Sequence, residues 1–581
     1  MTGIGADPSD NDRQRLVRIR RARAQRTGHE IIARCLVRQG ITHVYGVPGA
    51  PVSETMGACA AAGLRVIGHR NQEAAVLASA AFNYFGGALR SAVIVSSGPG
   101  VTSCTTGLLV ATDNRWPVLV IGGRVSLKLR GRGAFQDLDG AGLFAPLVKS
   151  AVVVSETHRL ADAIARGCRD AGGERPGPVY LDVTEDALAG SAALGPDDPT
   201  VERMPTIVAA APTSQSPAAR ASDSPESAAI AALARAARPA LLIGDAIRWC
   251  GPWVLLTRLV EDHAIPFATS PLARGFLPDE HPQCLTDVRG PMLAGADLVL
   301  LLGARFDWTF RFGSEVGANT QIVCVGSDAL ETTRAFGRGI AVPVDAATFL
   351  ADALDRLEAE RARGGLAVRD RGWIEALRQR SAEYRLSHSV QFDPQAVPMS
   401  PYQWLAELRG ALPENAITIL DGNVVMTIAQ SLLPVKQPVT RVTPGHNGCM
   451  GTGIPFAIGA RLAHPDTPVV LVTGDFAFGR CAFELETAIR HSVPIVVIVA
   501  NNGGNGGALR QRKFFPAGYP GVAQFVAGVR HDQFMSSLGG ASWRVERPGE
   551  LGAALAMALA HGGPSCIDVL TDQNTMDLPA V

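Results

Sequence analysis

The residues with the clearest chemical potential are an aspartate and an asparagine that each follow an apolar stretch. Asp475 comes directly after the apolar run at residues 469–472 and Thr473-Gly474, and Asn502 follows the apolar, β-branched run at residues 495–499. A carboxylate and an amide oxygen suit a hard cation that keeps phosphate oxygens among its other ligands. The two side chains therefore predict a metal-bridged phosphate site, provided that the fold brings them together.

The elements between these two residues indicate how they come together. Residues 483–489 carry apolar side chains at helical spacing between the two apolar runs. Strand, helix and strand in this order predict a βαβ unit with parallel strands. Asp475 and Asn502 then emerge at the same carboxyl edge of a sheet, where open α/β sheets bind ligands. An ordinary crossover with capping polar residues is the alternative.

The Gly-Asp, helix, Asn-Asn arrangement resembles the cofactor-binding motif of the thiamine diphosphate-dependent acetolactate synthase and 2-hydroxyacyl-CoA lyase superfamily. The resemblance implies that Asp475, the Asn502 side chain and the Gly504 carbonyl hold Mg2+ on the diphosphate. The family motif usually opens Gly-Asp-Gly, or Gly-Asp-Ser in the hydroxyacyl-CoA and oxalyl-CoA branch. This chain reads GDFAFG, so Phe476 is a departure.

The resemblance extends over almost the whole chain from Gly28. Ordered blocks similar to 2-hydroxyacyl-CoA lyase and oxalyl-CoA decarboxylase include YGVPGAPV, HRNQEAA, SSGPGVTSCTTGL, GAFQDLD, LGARFDWTFRFG and GHNGCMGTGIPFAIGA. Repeated strand–helix alternation predicts an α/β fold with three doubly wound parallel-sheet domains. In the family these domains bind the pyrimidine, form a central domain and bind the diphosphate. We expect no NAD in the central domain, because it lacks a G-x-G-x-x-G fingerprint.

Composition shifts set the predicted boundaries. They are a basic, frayed arm at residues 1–27, the pyrimidine-binding domain at 28–190, a linker at 191–227, the central domain at 228–360, a second linker at 361–399 and the diphosphate-binding domain at 400–581. A partner-binding role for the arm is the alternative, although it has no aromatic residues for stacking on bases.

The resemblance places a glutamine where the family activates its cofactor. The family pattern Arg-Asn-Glu-Gln-Ala-Ala aligns with residues 70–75, so the glutamate that hydrogen-bonds the pyrimidine ring is here Gln72. A glutamine can bind the ring nitrogen but cannot exchange a proton with it as a carboxyl group can. Atypical activation through Gln72 is one interpretation. A register shift that brings in Glu73 and a non-catalytic paralogue are the others.

The thiazolium side of the predicted site lies in the segment PGHNGCMGTG. By resemblance, Met450 bends the cofactor and Gly448 borders it, although a methionine can also be core filler. His446 and Asn447 stand where the family has small or apolar residues. We hypothesise that one of them handles a proton, because an imidazole titrates near neutral pH. A capping or core role is the open alternative.

The resemblance also implies further site residues. Gln136 borders the substrate pocket. The remaining cofactor contacts are Pro48, Gly422, Asn423, Gly474 and the backbone N–H groups of Ala477 and Phe478. Two features favour a 2-oxo or 2-hydroxy acid, or an aldehyde acceptor, over a CoA thioester. The acyl-CoA branch carries a tyrosine after its Asn-Asn turn, whereas this chain continues Asn505-Gly506-Gly507. The acyl-CoA relatives also carry a longer tail over the thioester, whereas few residues follow Asp572 here.

Composition excludes other classes. The chain has 581 residues, 47% apolar and 19% charged, with a formal net charge of zero, so no field attracts nucleic acid. No apolar run is long enough to span a membrane. The ten cysteines have no C-x-x-C pair, which favours a reducing, cytoplasmic location. We therefore expect a homodimeric or homotetrameric C–C lyase, decarboxylase or carboligase. The alternatives are a non-catalytic regulatory or structural subunit and, on fold analogy alone, an FAD-dependent redox enzyme.

Overall fold

The structure is a computed structural model that describes residues 25–193, 224–389, 395–505, 514–516, 519 and 521–573. Residues 1–24 of the predicted arm and most of the linker at 191–227 lie outside them. The chain divides into two compact units. The first comprises Met1–Asn83, Leu89–Thr112 and Trp116–Thr206, and the second comprises Tyr84–Ala88, Asp113–Arg115 and Ile207–Val581. Asp113–Arg115 thus belong to the same unit as His446 and Asn447, which they contact.

The first domain is built on a parallel six-stranded sheet in the order β3-β2-β4-β5-β7-β6. Its strands are β2 (His43–Val47), β3 (Arg65–Gly68), β4 (Ser91–Val95), β5 (Val118–Arg124), β6 (Ser150–Val154) and β7 (Pro178–Thr184). The central strands β4, β5 and β7 are buried throughout. Burial of a parallel sheet on both faces explains their continuous apolar sequences.

Eight helices accompany this sheet. They are α1 (Gly28–Arg38), α2 (Ser53–Ala61), α3 (Gln72–Gly86), α4 (Pro99–Thr102), α5 (Thr105–Asp113), α6 (Gly140–Phe144), α7 (Leu160–Gly172) and α8 (Glu185–Ala189). A capping box fixes the start of α1, because the Thr27 hydroxyl accepts from the Glu30 N–H while the Glu30 carboxylate accepts from the Thr27 N–H. Before it, β1 (Gln25–Thr27) pairs antiparallel with β8 (Ser191–Ala193). The described residues thus begin at Gln25, inside the arm predicted for residues 1–27.

The central domain contains a parallel five-stranded sheet in the order β10-β9-β11-β12-β13. Its strands are β9 (Pro239–Ile243), β10 (Phe267–Thr269), β11 (Leu298–Leu302), β12 (Gln321–Val325) and β13 (Ile340–Val342). Alternate residues of β9 face two different apolar clusters, Leu241 and Ile243 in one and Ala240 and Leu242 in the other. Because successive side chains of a strand point to opposite faces of the sheet, both faces of this sheet are packed against apolar residues.

The helices of this region are α9 (Pro225–Arg235), α10 (Trp253–Asp262), α11 (Arg289–Gly295), α12 (Ala329–Phe336), α13 (Ala346–Ala362) and α14 (Arg371–Ser389). Helix α14 occupies much of the linker predicted at residues 361–399. Its Trp373 and Leu377 pack against the central core. This segment is therefore an ordered part of the second unit.

The third domain has a parallel six-stranded sheet in the order β15-β14-β16-β17-β19-β18. Its strands are β14 (Ile417–Asp421), β15 (Arg441–Val442), β16 (Val469–Gly474), β17 (Val496–Asn501), β18 (Ala541–Val545) and β19 (Ser565–Leu570). Its helices are α15 (Pro401–Ala411), α16 (Val424–Leu432), α17 (Gly453–Ala463), α18 (Asp475–Cys481), α19 (Glu484–Arg490), α20 (His531–Ser537) and α21 (Leu551–His561). The predicted three-domain α/β architecture and the parallel β16–β17 pair are confirmed.

The strand orders identify where ligands should bind. In the third sheet the chain leaves β14 toward β15 on one side and returns to β16 on the other, so the strand order reverses between β14 and β16. The same reversal occurs between β2 and β4 and between β9 and β11. Open α/β sheets bind ligands in the crevice at such a reversal, beyond the carboxyl ends of the strands. Among the described residues no helix is long and apolar enough to cross a membrane.

Candidate active site

A cavity that is partly open to solvent lies at the reversal between β14 and β16, and its empty space, including that open part, is about 400 Å³. Its lining includes eight of the residues that the sequence predicts to hold the cofactor or its metal, namely Gly422, Asn423, Met450, Gly474, Asp475, Ala477, Asn502 and Gly504. Phe478 does not line it, because its ring packs edge-on against His531 at a centroid distance of 5.0 Å. The third domain thus brings these eight residues together from the ends of three strands. They are called the cradle from here on.

Asp475 and Asn502 converge on one backbone group. The Gly504 N–H donates to Oδ2 of Asp475 at 3.1 Å and to Oδ1 of Asn502 at 3.2 Å. Asp475 is buried, and the groups that act on its carboxylate are backbone N–H groups of residues 476 and 502–504. None of these neighbours is a cation. A buried carboxylate held this way has the geometry and the unbalanced charge to take a cation.

Gly422 is required because the backbones at the ends of β14 and β16 lie close together. Gly422 follows β14 with a φ of 110°, and a Cβ there would lie 3.2 Å from the backbone nitrogen of Gly474. A side chain would be strained at this φ and would crowd the neighbouring strand end. The two strand ends can therefore come close enough to enclose a phosphate group only because residue 422 has no side chain.

Asp421 supports this site through backbone hydrogen bonds, a role that the sequence did not assign to it. Its fully buried carboxylate accepts from the N–H groups of Gly422 (2.7 Å), Gly451 (3.1 Å) and Gly453 (2.8 Å). Desolvation outweighs these donors and raises the pKa of Asp421 to about 6. These bonds tie the segment that carries Met450 to the end of β14. Its only sequence signal is a carboxylate at the end of an apolar run.

The first unit brings two predicted glutamines to one glycine turn. A Cβ on Gly100 would lie 3.4 Å from Nε2 of Gln72, and a Cβ on Gly98 would lie 2.7 Å from Cβ of Gln136. Ser97 also donates to Oε1 of Gln136 at 3.3 Å. The turn follows β4, and the exposed Pro48 follows β2. These residues thus lie at the reversal of the first sheet.

Helix α3 begins beside the glycine turn at Gly98–Gly100. Gln72 is the first residue of the helix, and its side-chain amide approaches Gly100. The Glu73 N–H donates to Oδ1 of Asn71 at 2.7 Å. The Gln72 side chain thus lies next to the glycine turn of the first sheet.

His446 lies between two carboxylates of the central domain. Its Nε2 is 2.8 Å from Oδ1 of Asp245, and its Nδ1 is 2.8 Å from Oδ2 of Asp307. Asp245 follows β9 and Asp307 follows β11, so both stand at the reversal of the central sheet. Burial would lower the pKa of His446, but the two carboxylates outweigh it and raise the pKa to about 9.

Neighbouring contacts fix the same segment. The Trp308 indole donates to the carbonyl oxygen of His446 at 2.8 Å, and the His446 N–H donates to Oδ1 of Asn114 at 2.9 Å. The Asn447 amide donates to the carboxylate of Asp113 at 2.8 Å. Both side chains hypothesised to handle a proton are thus engaged within the protein. These contacts hold the segment that precedes Met450 in place.

The His446 ion pairs predict a pH-dependent stability. Because the folded-state pKa lies near 9 and the ordinary value is 6.5, the stabilisation is complete below pH 6.5 and is lost as pH rises toward 9. We expect a loss of up to about 3 kcal/mol in the free energy of unfolding over this range, measured by urea denaturation. Besides Asp245 and Asp307, Arg305 acts on the imidazole and opposes its charge.

The matched variants are His446→Gln and Asp307→Asn. The difference in unfolding free energy between wild type and His446→Gln should shrink from pH 6.5 to 9. Asp307→Asn, which keeps the pair with Asp245, should show a smaller pH-dependent loss of unfolding free energy than wild type. Parallel pH profiles for wild type and His446→Gln would show that the imidazole is not charged in the folded protein.

The strand-order reversals and the residues around Asp475 are typical of α/β proteins that bind a ligand at the carboxyl ends of their strands. Three domain models match the chain: the thiamine pyrophosphate enzyme N-terminal TPP binding domain at residues 26–143, the central domain at 227–353 and the C-terminal TPP binding domain at 421–569. Together they span more than half of the chain. This protein belongs to the thiamine pyrophosphate enzyme family.

Three relatives show the range of activities in this family. Oxalyl-CoA decarboxylase of Escherichia coli K12 is 31% identical over 555 residues, covering 94% of this chain and 95% of the relative. A 2-hydroxyacyl-CoA lyase of Oryza sativa subsp. japonica is 29% identical over 94% of this chain and 95% of the relative. The acetolactate synthase large subunit IlvG of Mycobacterium tuberculosis is 29% identical over 93% and 95%. The chain is thus an enzyme of this thiamine diphosphate-dependent class.

Proposed function

We propose that this enzyme uses thiamine diphosphate and Mg2+ to form or break a C–C bond next to the carbonyl of a 2-oxo or 2-hydroxy acid. The observation that carries the proposal is the convergence of the Asp475 and Asn502 oxygens on the Gly504 N–H, at the edge of a cavity lined by the predicted cradle. When bound, thiamine diphosphate supplies a carbon nucleophile for the substrate carbonyl.

The metal part of the proposal depends on the charge of the site. Asp475 would contribute one carboxylate oxygen and Asn502 one amide oxygen, with the Gly504 carbonyl as a third ligand. The described residues contain no group of three or more His, Cys, Asp or Glu that could hold a metal by themselves. The cation would therefore depend on diphosphate oxygens for its remaining ligands, as Mg2+ commonly does.

The proton-handling part rests on Gln72. We infer that Gln72 hydrogen-bonds the pyrimidine ring and orients it without exchanging a proton with it. Gln136, on the other side of the glycine turn, would border the substrate. His446 and Asn447 would position the segment that carries Met450, and Gly448, with a φ of 66°, forms the turn between them.

Three further features of the proposal go beyond the family assignment. We propose a small 2-oxo or 2-hydroxy acid, or an aldehyde acceptor, as substrate. Gly506 and Gly507, part of the argument against a CoA thioester, lie outside the described residues. A homodimer or homotetramer follows from the resemblance. All ten cysteines are free, which supports a reducing compartment such as the cytoplasm. Neither the fold nor the relatives support the alternative of a non-catalytic subunit.

The direct test is calorimetric titration of the purified protein. Thiamine diphosphate should bind with Mg2+ present and should bind much more weakly with EDTA, while thiamine without its diphosphate should not bind measurably. Incubation of the loaded enzyme with 2-oxo acids and acyl-CoAs, followed by mass spectrometry of the products, then identifies the substrate. Equal binding of thiamine and thiamine diphosphate would contradict the proposed site.

A further inference from the structure

A second segment of the third domain runs along the loop that would hold the metal. This segment, residues 523–529, is called the strap from here on, and the loop is residues 502–505. Gly504 of the loop and Gln524 of the strap lie opposite each other in an antiparallel bridge. The two segments are thus held together through their backbones, in the pattern of a short β-ladder.

Two backbone hydrogen bonds flank this bridge. The Asn505 N–H donates to the carbonyl oxygen of Ala523 at 2.8 Å, and the Phe525 N–H donates to the carbonyl oxygen of Gly503 at 2.8 Å. Because these bonds use the residues on either side of the bridge, Gly504 belongs to a non-hydrogen-bonded pair. Its own N–H and carbonyl therefore face away from the strap.

The side of Gly504 that faces away from the strap is the side of the other proposed metal ligands. Its N–H donates to the Asp475 carboxylate at 3.1 Å and to the Asn502 amide oxygen at 3.2 Å. At a bridged position of an antiparallel ladder the N–H and the carbonyl of one residue point to the same side. The strap thus turns the Gly504 carbonyl toward the side on which a cation would be bound.

An aromatic contact joins the strap to the first turn of α18. The rings of Phe525 and Phe476 lie nearly parallel, with centroids 6.2 Å apart and an angle of 15° between the planes, which is within the range of offset stacking. The Phe476 N–H donates to Oδ1 of Asp475 at 2.7 Å. Phe476 is also the departure from the family motif, where a glycine or serine would offer no ring to Phe525. This chain therefore has a contact between the strap and the residue next to Asp475 that the usual motif could not make.

The far end of the strap is fixed to the sheet. The Asn501 amide donates to the carbonyl oxygen of Val529 at 2.8 Å. The Asp568 carboxylate accepts from the Asn501 amide at 3.4 Å and from the His531 N–H at 3.3 Å. Asn501 and Asp568 are buried in β17 and β19, and Asn501 directly precedes Asn502. The position of the strap therefore follows that of the sheet from which the loop emerges.

We propose that the strap is a positioning element for Mg2+, which directs the Gly504 carbonyl and, through the contact of Phe525 with Phe476, holds Asp475 in place. The proposal deepens the proposed function and rests on it. Mg2+ requires near-ideal octahedral geometry at short distances, whereas Ca2+ accepts longer distances and flexible sites. A loosened strap should therefore weaken the binding of Mg2+ more than that of Ca2+.

The test titrates Mg2+ or Ca2+ into the full-length protein with excess thiamine diphosphate and follows binding by calorimetry. Phe525→Ala should raise the apparent Kd for Mg2+ about 10-fold, since groups that orient metal ligands contribute about 10–100-fold to metal affinity, and should raise the Kd for Ca2+ less. Val522→Ala is the control, because it truncates an exposed side chain directly before the strap, and both Kd values should stay at wild type. An unchanged Kd for Mg2+, or an equal loss for both cations, in Phe525→Ala would overturn the proposal.

A double-mutant cycle isolates the contact between the two rings. If Phe476 and Phe525 act as a pair, the losses of Mg2+ affinity in Phe476→Ser and Phe525→Ala should not add in the double variant. Additive losses would show that the two rings act separately, which contradicts the proposed contact.

Hydrogen exchange of the wild-type protein provides a measurement that needs no variant. The backbone N–H groups of Asn505 and Phe525 should exchange slowly in the protein without cofactor, because both are bonded across the bridge. Rapid exchange of both would show that the strap is not paired with the loop in solution. Failure of wild type to bind thiamine diphosphate with either cation would instead remove the proposed function itself.

Discussion

Asp475→Asn should lower the affinity for Mg2+ and thiamine diphosphate by about 100-fold or more. The variant keeps an acceptor for the Gly504 N–H but loses the negative charge that offsets the cation in a buried site. Even residues that only support metal ligands contribute about 10–100-fold to metal affinity, so a charged ligand should exceed this. Calorimetric titration with both ligands measures the effect, and turnover should fall with occupancy.

The fold should survive this change. Asp475 is buried, and the described groups that act on its carboxylate are backbone N–H groups, so replacing it with a neutral amide removes a desolvation cost. The apo variant should therefore unfold at the same or a higher urea concentration. Asp466→Asn is the matched control, because Asp466 is exposed before β16, and its affinity should equal that of wild type. An Asp475→Asn protein that binds the cofactor normally would remove the metal role.

Gln72→Glu should have the second large effect. A carboxyl group at this position can exchange a proton with the pyrimidine ring, whereas an amide cannot. We expect exchange of the C2 proton of bound thiamine diphosphate with deuterium to become about 10²–10⁴-fold faster, the usual contribution of general acid–base assistance. Quenched-flow exchange followed by proton NMR measures the rate directly and does not require the natural substrate.

Glu73→Gln is the matched control for this experiment. If Gln72 faces the cofactor, Glu73→Gln should leave the exchange rate unchanged. Slower exchange in Glu73→Gln, with no acceleration in Gln72→Glu, would show that a shift of register brings Glu73 to the ring. Turnover on the identified substrate then tells whether the glutamine is a specialisation: faster exchange without faster turnover means that the wild-type reaction does not depend on rapid deprotonation.

The sequence predicted those parts of the fold that follow from local periodicity. The apolar runs ending at Asp475 and Asn501-Asn502 are the adjacent parallel strands β16 and β17, in the order that a βαβ unit requires. Helix α14 was harder to predict, because only a few of its residues, such as Trp373 and Leu377, face the core. A mostly polar helix carries a weak periodic signal, so the sequence predicts only a linker of mixed helix and loop for this segment.

The contacts of His446 could not be predicted in the same way. Its two partners, Asp245 and Asp307, are distant in sequence and meet it only through the packing of the central and third domains within the second unit. Local sequence shows a histidine in a glycine-rich segment, which suits a catalytic and a structural role equally.

The pairing of His446 with Asp245 and Asp307 also affects the central domain. The crevice where the order of its strands reverses is where a sheet of this kind would accept a nucleotide, and here an imidazolium from elsewhere in the chain neutralises the two acids at its mouth. A nucleotide phosphate arriving there would meet carboxylates on both sides and would have to displace an internal counter-ion. The two acids of the central domain therefore hold the segment that precedes Met450 at the mouth of this crevice.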